Sequence, residues 1–148
     1  MDSANILEKV EKVLKRDIGK DQKLKDICGL LVDDVEHYDW VGFYLVKEGR
    51  LVLGPYVGEP TEHTDIYFGE GICGQAASRE ESFTVQDVSD EDNYLSCSPK
   101  VKSEIVVPIF KDGEVVGELD IDSHEESPFT DEDEKLLEEI CEEVAEIL

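Results

Sequence analysis

The 148-residue sequence predicts an α+β domain, a mainly antiparallel sheet bracketed by helices at its two ends. Three observations carry this prediction. Apolar residues recur at helical spacing at both ends of the chain. The stretch between them is made of short β-rich runs. Two pairs of those runs are joined by turns with hairpin chemistry.

The elements follow in order. Leu7, Val10, Val13 and Leu14 recur with a helical period before Asp17-Ile18-Gly19, and Leu24, Ile27, Leu30, Leu31 and Val35 do so after it, giving two amphipathic helices. From Tyr38 the pattern becomes β-like: Trp40 to Val46, a turn at Lys47-Glu48-Gly49-Arg50, then Leu51 to Val57, with Gly58-Glu59-Pro60 ending the pairing. A short strand over His63 to Tyr67 leads into Gly69-Glu70-Gly71-Ile72-Cys73-Gly74 and a small-residue helix through Ala76, Ala77 and Ser78. Phe83 to Val85 reads as another short strand. Asp87 to Lys100, rich in Asp, Asn, Ser and Pro, reads as a long loop with at most one helical turn. Ser103 to Phe110 and Glu114 to Asp122 form a hairpin across Lys111-Asp112-Gly113, where Asp-Gly suits a tight turn. The closing helix has Thr130 as N-cap, Asp133 three residues on, and an apolar stripe of Leu136, Leu137, Ile140, Val144 and Ile147.

Composition narrows the function classes. Fourteen basic against thirty-eight acidic residues give a net charge of -24, a field that repels nucleic acid and anionic lipid surfaces. Runs such as Asp131-Glu132-Asp133-Glu134 and Glu138-Glu139 are expected on a solvated helix face, a surface that also suits a salty or hot cytoplasm. Apolar runs such as Ile105 to Val107 are far shorter than the ~20 residues of a membrane-spanning helix, and no signal-peptide layout opens the chain. A cytoplasmic protein is expected, in which the four cysteines are thiols rather than structural disulfides.

Those thiols divide into two pairs. Cys28 and Cys141 adjoin helical apolar stripes and read as core thiols. Cys73 lies between glycines where a helix begins, a position whose free N–H groups and dipole favour a thiolate. Cys97 lies in the polar loop Asn93-Tyr94-Leu95-Ser96-Cys97-Ser98. Pattern alone leaves both open between inert and reactive, with inert the default. Around them, Glu104 opens one strand, and the period of two places Val116, Glu118, Asp120 and Asp122 on one face of the next, against Val115, Leu119 and Ile121. Trp40 and Tyr44 share a face across Gly42. Strand-end solvation is the plain alternative for the carboxylates, Asp122 above all, and on spacing alone aromatics placed like Trp40 and Tyr44 are more often core residues than ligand contacts.

Five segments together resemble the free methionine-(R)-sulfoxide reductases, which are built on the GAF fold of small-molecule sensor domains. They are Trp40-Val41-Gly42-Phe43-Tyr44-Leu45, Leu51-Val52-Leu53-Gly54-Pro55-Tyr56, Gly69-Glu70-Gly71-Ile72-Cys73-Gly74, Ser103-Glu104-Ile105-Val106-Val107-Pro108 and Gly117-Glu118-Leu119-Asp120-Ile121-Asp122-Ser123. The resemblance runs from Trp40 to the closing helix. It implies a single GAF-type domain over residues 1–148, with N- and C-terminal helices on one sheet face and loops and a short helix covering a pocket on the other. It also implies residue roles. Cys97 matches the cysteine that attacks the sulfoxide, and Cys73 one that resolves the resulting sulfenic acid as a Cys97–Cys73 disulfide. Glu104, Asp120 and Asp122 match carboxylates lining the substrate pocket, and Trp40 and Tyr44 aromatics that enclose the sulfur's methyl group. Many members carry a further cysteine ten positions before Cys73; here that position is His63.

The implied chemistry is consistent with the residue types. A thiolate attacks sulfur, and a carboxylic acid supplies the proton for the departing oxygen. Three carboxyls converging on one pocket cannot all ionise comfortably, so at least one is expected to hold its proton to higher pH. A thioredoxin-type protein as electron donor would reopen the disulfide, so no metal or organic cofactor is required. The resemblance also suggests a homodimer through the terminal helices. Two other readings stand beside this one. One is a non-catalytic GAF sensor, although such modules usually adjoin an output domain and none is read here. The other makes Cys73, Cys97 and His63 zinc ligands, although no Cys-x-x-Cys pair supports it.

Overall fold

The computed structural model describes residues 1–95 and 98–148, so the predicted nucleophile Cys97 lies outside the described residues. Its elements are α1 (Ser3–Leu14), α2 (Lys20–Asp34), β1 (Trp40–Lys47), β2 (Arg50–Val57), β3 (Asp65–Tyr67), α3 (Gly71–Arg79), β4 (Phe83–Val85), a 3-10 turn (Val88–Asp90), β5 (Ser103–Lys111), β6 (Glu114–Ser123) and α4 (Asp131–Ala145). The six strands form one sheet in the order β3-β2-β1-β6-β5-β4, and every neighbouring pair is antiparallel.

Both tight turns form as their sequences dictate. Glu48 and Gly49 have φ of 52° and 75°, and Asp112 and Gly113 have 54° and 80°, so each two-residue loop takes the left-handed geometry that matches the twist of its strands. Lys47 pairs with Arg50, and Lys111 with Glu114, directly across these loops. The strand expected over His63 to Tyr67 begins only at Asp65, because upstream backbone is engaged in turns: His63 N–H donates to Thr61 Oγ1 and Thr64 N–H to the Glu62 carbonyl.

Strand alternation divides the interior into two layers. On one sheet face, α2 and α4 pack over Val41, Phe43, Ile105, Val107, Ile109, Leu119 and Ile121, with α1 packed against both helices, burying Ile6, Val10, Leu24, Ile27, Leu31, Leu136, Leu137 and Ile140. On the other, α3 covers a smaller core built on Trp40, Tyr44, Leu51, Ile66, Ile72, Cys73, Ala76, Ala77, Val85 and Val106. Cys28 and Cys141 are buried in the helix-side core, where their thiols donate to the Pro55 and Val107 carbonyls, and burial raises both well above the ordinary thiol value.

Two expectations are corrected. A bulge between Ile109 and Phe110 shifts the β5–β6 register, so Gly117 pairs with Ile109 and Val115 with Phe110. Val116 consequently packs against the helix-side core rather than beside Glu118. Asp133, expected with its acidic neighbours on the solvated face of α4, is buried instead. It closes a capping box with Thr130, whose N–H donates to Asp133 Oδ2 at 2.8 Å, and it accepts the Tyr38 hydroxyl at 2.6 Å, with His37 Nε2 2.8 Å away. Burial alone would raise this carboxyl, but the bonds from Tyr38, Thr130 and His37 outweigh it and hold it below its ordinary value.

Candidate active site

Register sets the site in rows across the sheet. Trp40 on β1 lies opposite Asp122 on β6, Asp122 opposite Glu104 on β5, and Glu104 opposite Val85 on β4. One step along, Gly42, Asp120 and Val106 form the next row, and Tyr44, Glu118 and Pro108 a third. Facing residues of an antiparallel pair share a face. Three carboxylates of β6 and the one that opens β5 are therefore delivered to the surface that α3 covers.

Gly42 makes room for the aromatic wall. A Cβ there would lie 2.4 Å from the far edge of the Trp40 indole and 2.9 Å from Tyr56 Cβ. The indole can thus lie flat over β1, stacked on the Tyr56 ring at a centroid distance of 5.5 Å. Its Nε1–H donates to the Glu59 carbonyl at 2.9 Å, and the Tyr44 hydroxyl donates to the His63 carbonyl at 2.7 Å. Both aromatics thereby hold the 59–63 segment as a rim.

The opposite wall is the start of α3. Gly71 has φ of 62°, and a side chain there would meet Leu95 at 2.8 Å. Asn93 fastens this corner: its Oδ1 accepts the Gly71 N–H at 2.9 Å, its Nδ2–H donates to the Gly69 carbonyl at 2.7 Å, and its own carbonyl accepts Gln75 Nε2–H at 3.0 Å. Sequence reasoning placed Asn93 in a polar loop and missed this role. The available signal was a lone amide in the loop that leads to Cys97, too weak to name a partner 22 residues away.

Between the walls lies a small pocket. Trp40, Tyr44, Cys73, Glu104, Asp120 and Asp122 all line it, as does His63. Every described member of the predicted site is thus brought together, and Thr61, Glu70 and Leu95 join them. The Cys73 thiol donates to Glu104 Oε2 at 3.8 Å, and donor atoms of Cys73, Glu104 and Asp120 lie within 4.8 Å of one another.

The electrostatics are those of a buried acidic nest. Burial raises Asp120 above its ordinary value, although hydrogen bonds from Glu104 and Cys73 pull the other way. Burial, with the charge of Asp120 beside it, also raises Glu118, whose two oxygens have no hydrogen-bond partner among the described residues. Carboxyls that keep their protons can serve as acids, as the convergence of these groups requires. The expectation for Cys73 is corrected: it stands in the first turn of α3, yet burial and the fields of Asp120, Glu104 and Glu118 push its thiol well above the ordinary value. A helix terminus worth at most ~2 kcal/mol does not overcome three carboxyls and complete desolvation.

An antiparallel sheet with three helices on one face and a short helix closing a pocket on the other defines a GAF-type domain, and the GAF domain family model matches residues 21–148. Several proteins share more than this fold. The free methionine-R-sulfoxide reductase of Escherichia coli is 35% identical over 84% of this chain and 75% of its own. Among solved structures, the free methionine-R-sulfoxide reductase of Neisseria meningitidis, in complex with its substrate, superposes with a TM-score of 0.93 at 33% identity, covering 98% of this chain and 87% of that one. The type II free methionine-R-sulfoxide reductase of Thermoplasma acidophilum is 38% identical with a TM-score of 0.85, covering 86% and 91%. The chain belongs to the free methionine-R-sulfoxide reductase family.

Proposed function

We propose that this protein is a thiol-dependent oxidoreductase that reduces free L-methionine-(R)-sulfoxide to methionine. One observation supports the reading most strongly: one pocket brings together a buried thiol, three carboxylates and two aromatics. A pocket walled by a rim and a helix suits a free amino acid better than a methionine embedded in a chain. The carboxylates suit its ammonium group, and Trp40 and Tyr44 suit a sulfur that gains positive character as its oxygen is protonated.

In the proposed cycle the Cys97 thiolate attacks the sulfoxide sulfur while a cavity carboxyl protonates the oxygen. Methionine leaves and Cys97 becomes a sulfenic acid. The Cys73 thiol then displaces water to form the Cys97–Cys73 disulfide. A thioredoxin-type dithiol reduces this bond, and its own cysteines are oxidised in exchange. Burial holds the Cys73 thiol protonated in the reduced protein, and the Glu104 carboxylate that accepts its hydrogen bond takes the proton as the sulfur attacks the sulfenic acid. His63 stands where many members have a further cysteine, so Cys73 serves as the resolving thiol in this cycle.

Among the described residues no helix is long and apolar enough to cross a membrane. The cycle suits a reducing compartment such as the cytoplasm, with the protein acting as a single domain, paired into a homodimer through its terminal helices. Sedimentation of the purified protein tests the pairing. The test of function is a coupled assay with thioredoxin, thioredoxin reductase and NADPH, run on each epimer of free methionine sulfoxide. NADPH consumption with the R epimer alone is expected, and its loss in Cys97→Ser. Binding of the sulfoxide without turnover would sink the catalytic reading in favour of a sensor.

A further inference from the structure

We propose that the reduced protein binds one Zn²⁺ ion through Cys73, Glu104 and Asp120. The three offer one sulfur and carboxylate oxygens whose donor atoms lie within 4.8 Å of one another, all in buried residues. In a tetrahedral zinc site with Zn–S ~2.3 Å and Zn–O ~2.0 Å, sulfur and oxygen donors sit ~3.5 Å apart. The Cys73 Sγ to Glu104 Oε2 distance is 3.8 Å, so that pair needs to close by only a few tenths of an ångström, and the widest-spaced donors by about 1.3 Å at most. This set differs from the Cys73, Cys97 and His63 set that sequence alone suggests.

A second observation points to a cation. Asp120 is 4% exposed and lines the cavity, yet its Oδ1 has no hydrogen-bond partner among the described residues. Unsatisfied buried carboxyl oxygens are costly, and a divalent ion satisfies several at once. The mixed donor set also selects the ion: a thiolate excludes Mg²⁺ and Ca²⁺, which take oxygen ligands, and favours a borderline-soft metal. One thiolate and two carboxylates carry three negative charges against the ion's two positive ones. Binding therefore releases the Cys73 thiol proton and any proton held between the two carboxyls. The ion also occupies the cavity in which the sulfoxide would sit. Inhibition of turnover follows, a consequence that rests on the functional reading, whereas the binding does not.

The test uses the full chain, reduced and stripped of metal with a chelator, titrated with Co²⁺ as a spectroscopic stand-in and then with Zn²⁺. One equivalent should bind, giving a sulfur-to-cobalt charge-transfer band that Zn²⁺ abolishes. Cys73→Ser should lose the band, and Asp120→Asn should weaken affinity by about tenfold or more, since even removing groups that only support ligands costs that much. Cys28→Ala and Cys141→Ala should keep it. Thermal melts of each variant separate loss of a ligand from loss of fold, and proton release on Zn²⁺ addition to the unmodified chain gives a readout that needs no variant. No band, or a band that survives Cys73→Ser or requires Cys97 instead, would overturn the proposal. The coupled assay on chelator-treated protein reports the function separately, so the two readings can fail independently.

Discussion

Asn93 holds the start of α3 by accepting the Gly71 N–H at 2.9 Å, and its amide nitrogen donates to the Gly69 carbonyl at 2.7 Å. The loop that continues into Cys97 is thereby pinned to the wall that carries Cys73. Each such bond is worth ~0.5–1.5 kcal/mol net. Asn93→Ala should therefore lower kcat/KM in the coupled assay by about tenfold or more, with the far-ultraviolet spectrum unchanged. Asn93→Asp keeps the acceptor for Gly71 but loses the donor, and should fall between. Equal activity in all three proteins would show that the clamp does not position the reacting groups.

The acidic nest predicts how stability changes with pH. Glu118 and Asp120 are raised above their ordinary values of 4.5 and 3.8, so between those values and their folded ones the native chain binds more protons than the unfolded chain. Their contribution is fully present below about pH 4 and is lost as pH rises through the folded values. Glu118→Met removes a buried group with two unpartnered oxygens, which costs ~1–3 kcal/mol where it stands. At ~2–4 °C per kcal/mol for a chain of this size, Tm at pH 8 should rise by about 2–12 °C, and by less at pH 5. A lower Tm at pH 8 would contradict this account.

Asp133 shows the opposite sign. Its carboxyl is held below the ordinary 3.8, so its contribution is present above that value and is lost as pH falls through the folded one. It satisfies Thr130, Tyr38 and His37 from a buried position. Asp133→Ala should cost ~2–4 kcal/mol in denaturant unfolding at pH 7, the range for breaking a buried charged network and a helix cap together. The gap between the variant and the unmodified protein should narrow at pH 3.

What the sequence made legible follows from how local each cause is. The turns at Gly49 and Gly113 are specified by residues that tolerate positive φ, and the helices by their apolar period. The site rows were legible because a period of two places Asp120 and Asp122 on one face whatever the partner strands do. The exceptions depend on distant residues. Nothing in Val115-Val116-Gly117 marks Val116 as the residue displaced by the bulge. The raised Cys73 thiol comes first from burial in the assembled fold and then from carboxylates 31 to 47 positions away in sequence. Asp133 turned inward because Tyr38 and His37, from the other half of the chain, donate to it.

Burial makes three cysteines poor targets in the folded, reduced protein. Cys28, Cys73 and Cys141 are 0%, 4% and 2% exposed, and burial raises each thiol first among its causes. The thiolate is the reactive form, so iodoacetamide at pH 8 should leave all three unmodified and label them only after denaturation, as read by peptide mass spectrometry. The same shifts set a stability limit. Unfolded thiols ionise near 9.0 while the folded ones stay protonated, so stability is fully present below that value and declines as pH rises above it. Fast labelling of Cys73 in the native protein would mean that the wall formed by α3 opens.

Trp40 is the chain's single tryptophan and stands in the cavity wall, so its fluorescence reports that cavity alone. Free methionine sulfoxide should change its emission saturably, whereas a peptide containing the sulfoxide should not. Gly42→Ala tests the geometry behind the signal. The added methyl would lie 2.4 Å from the indole and 2.9 Å from Tyr56 Cβ, contacts that force the ring off β1 and its stack with Tyr56. Overpacking of this kind costs ~1–3 kcal/mol of stability. The displaced ring should show a shifted emission maximum before any ligand is added, and KM for the sulfoxide should rise more than kcat falls, because the damaged element is the aromatic wall rather than the thiols. If Gly42→Ala leaves both the emission and KM unchanged, Trp40 does not depend on the bare backbone at Gly42, and the aromatic wall is held by other contacts.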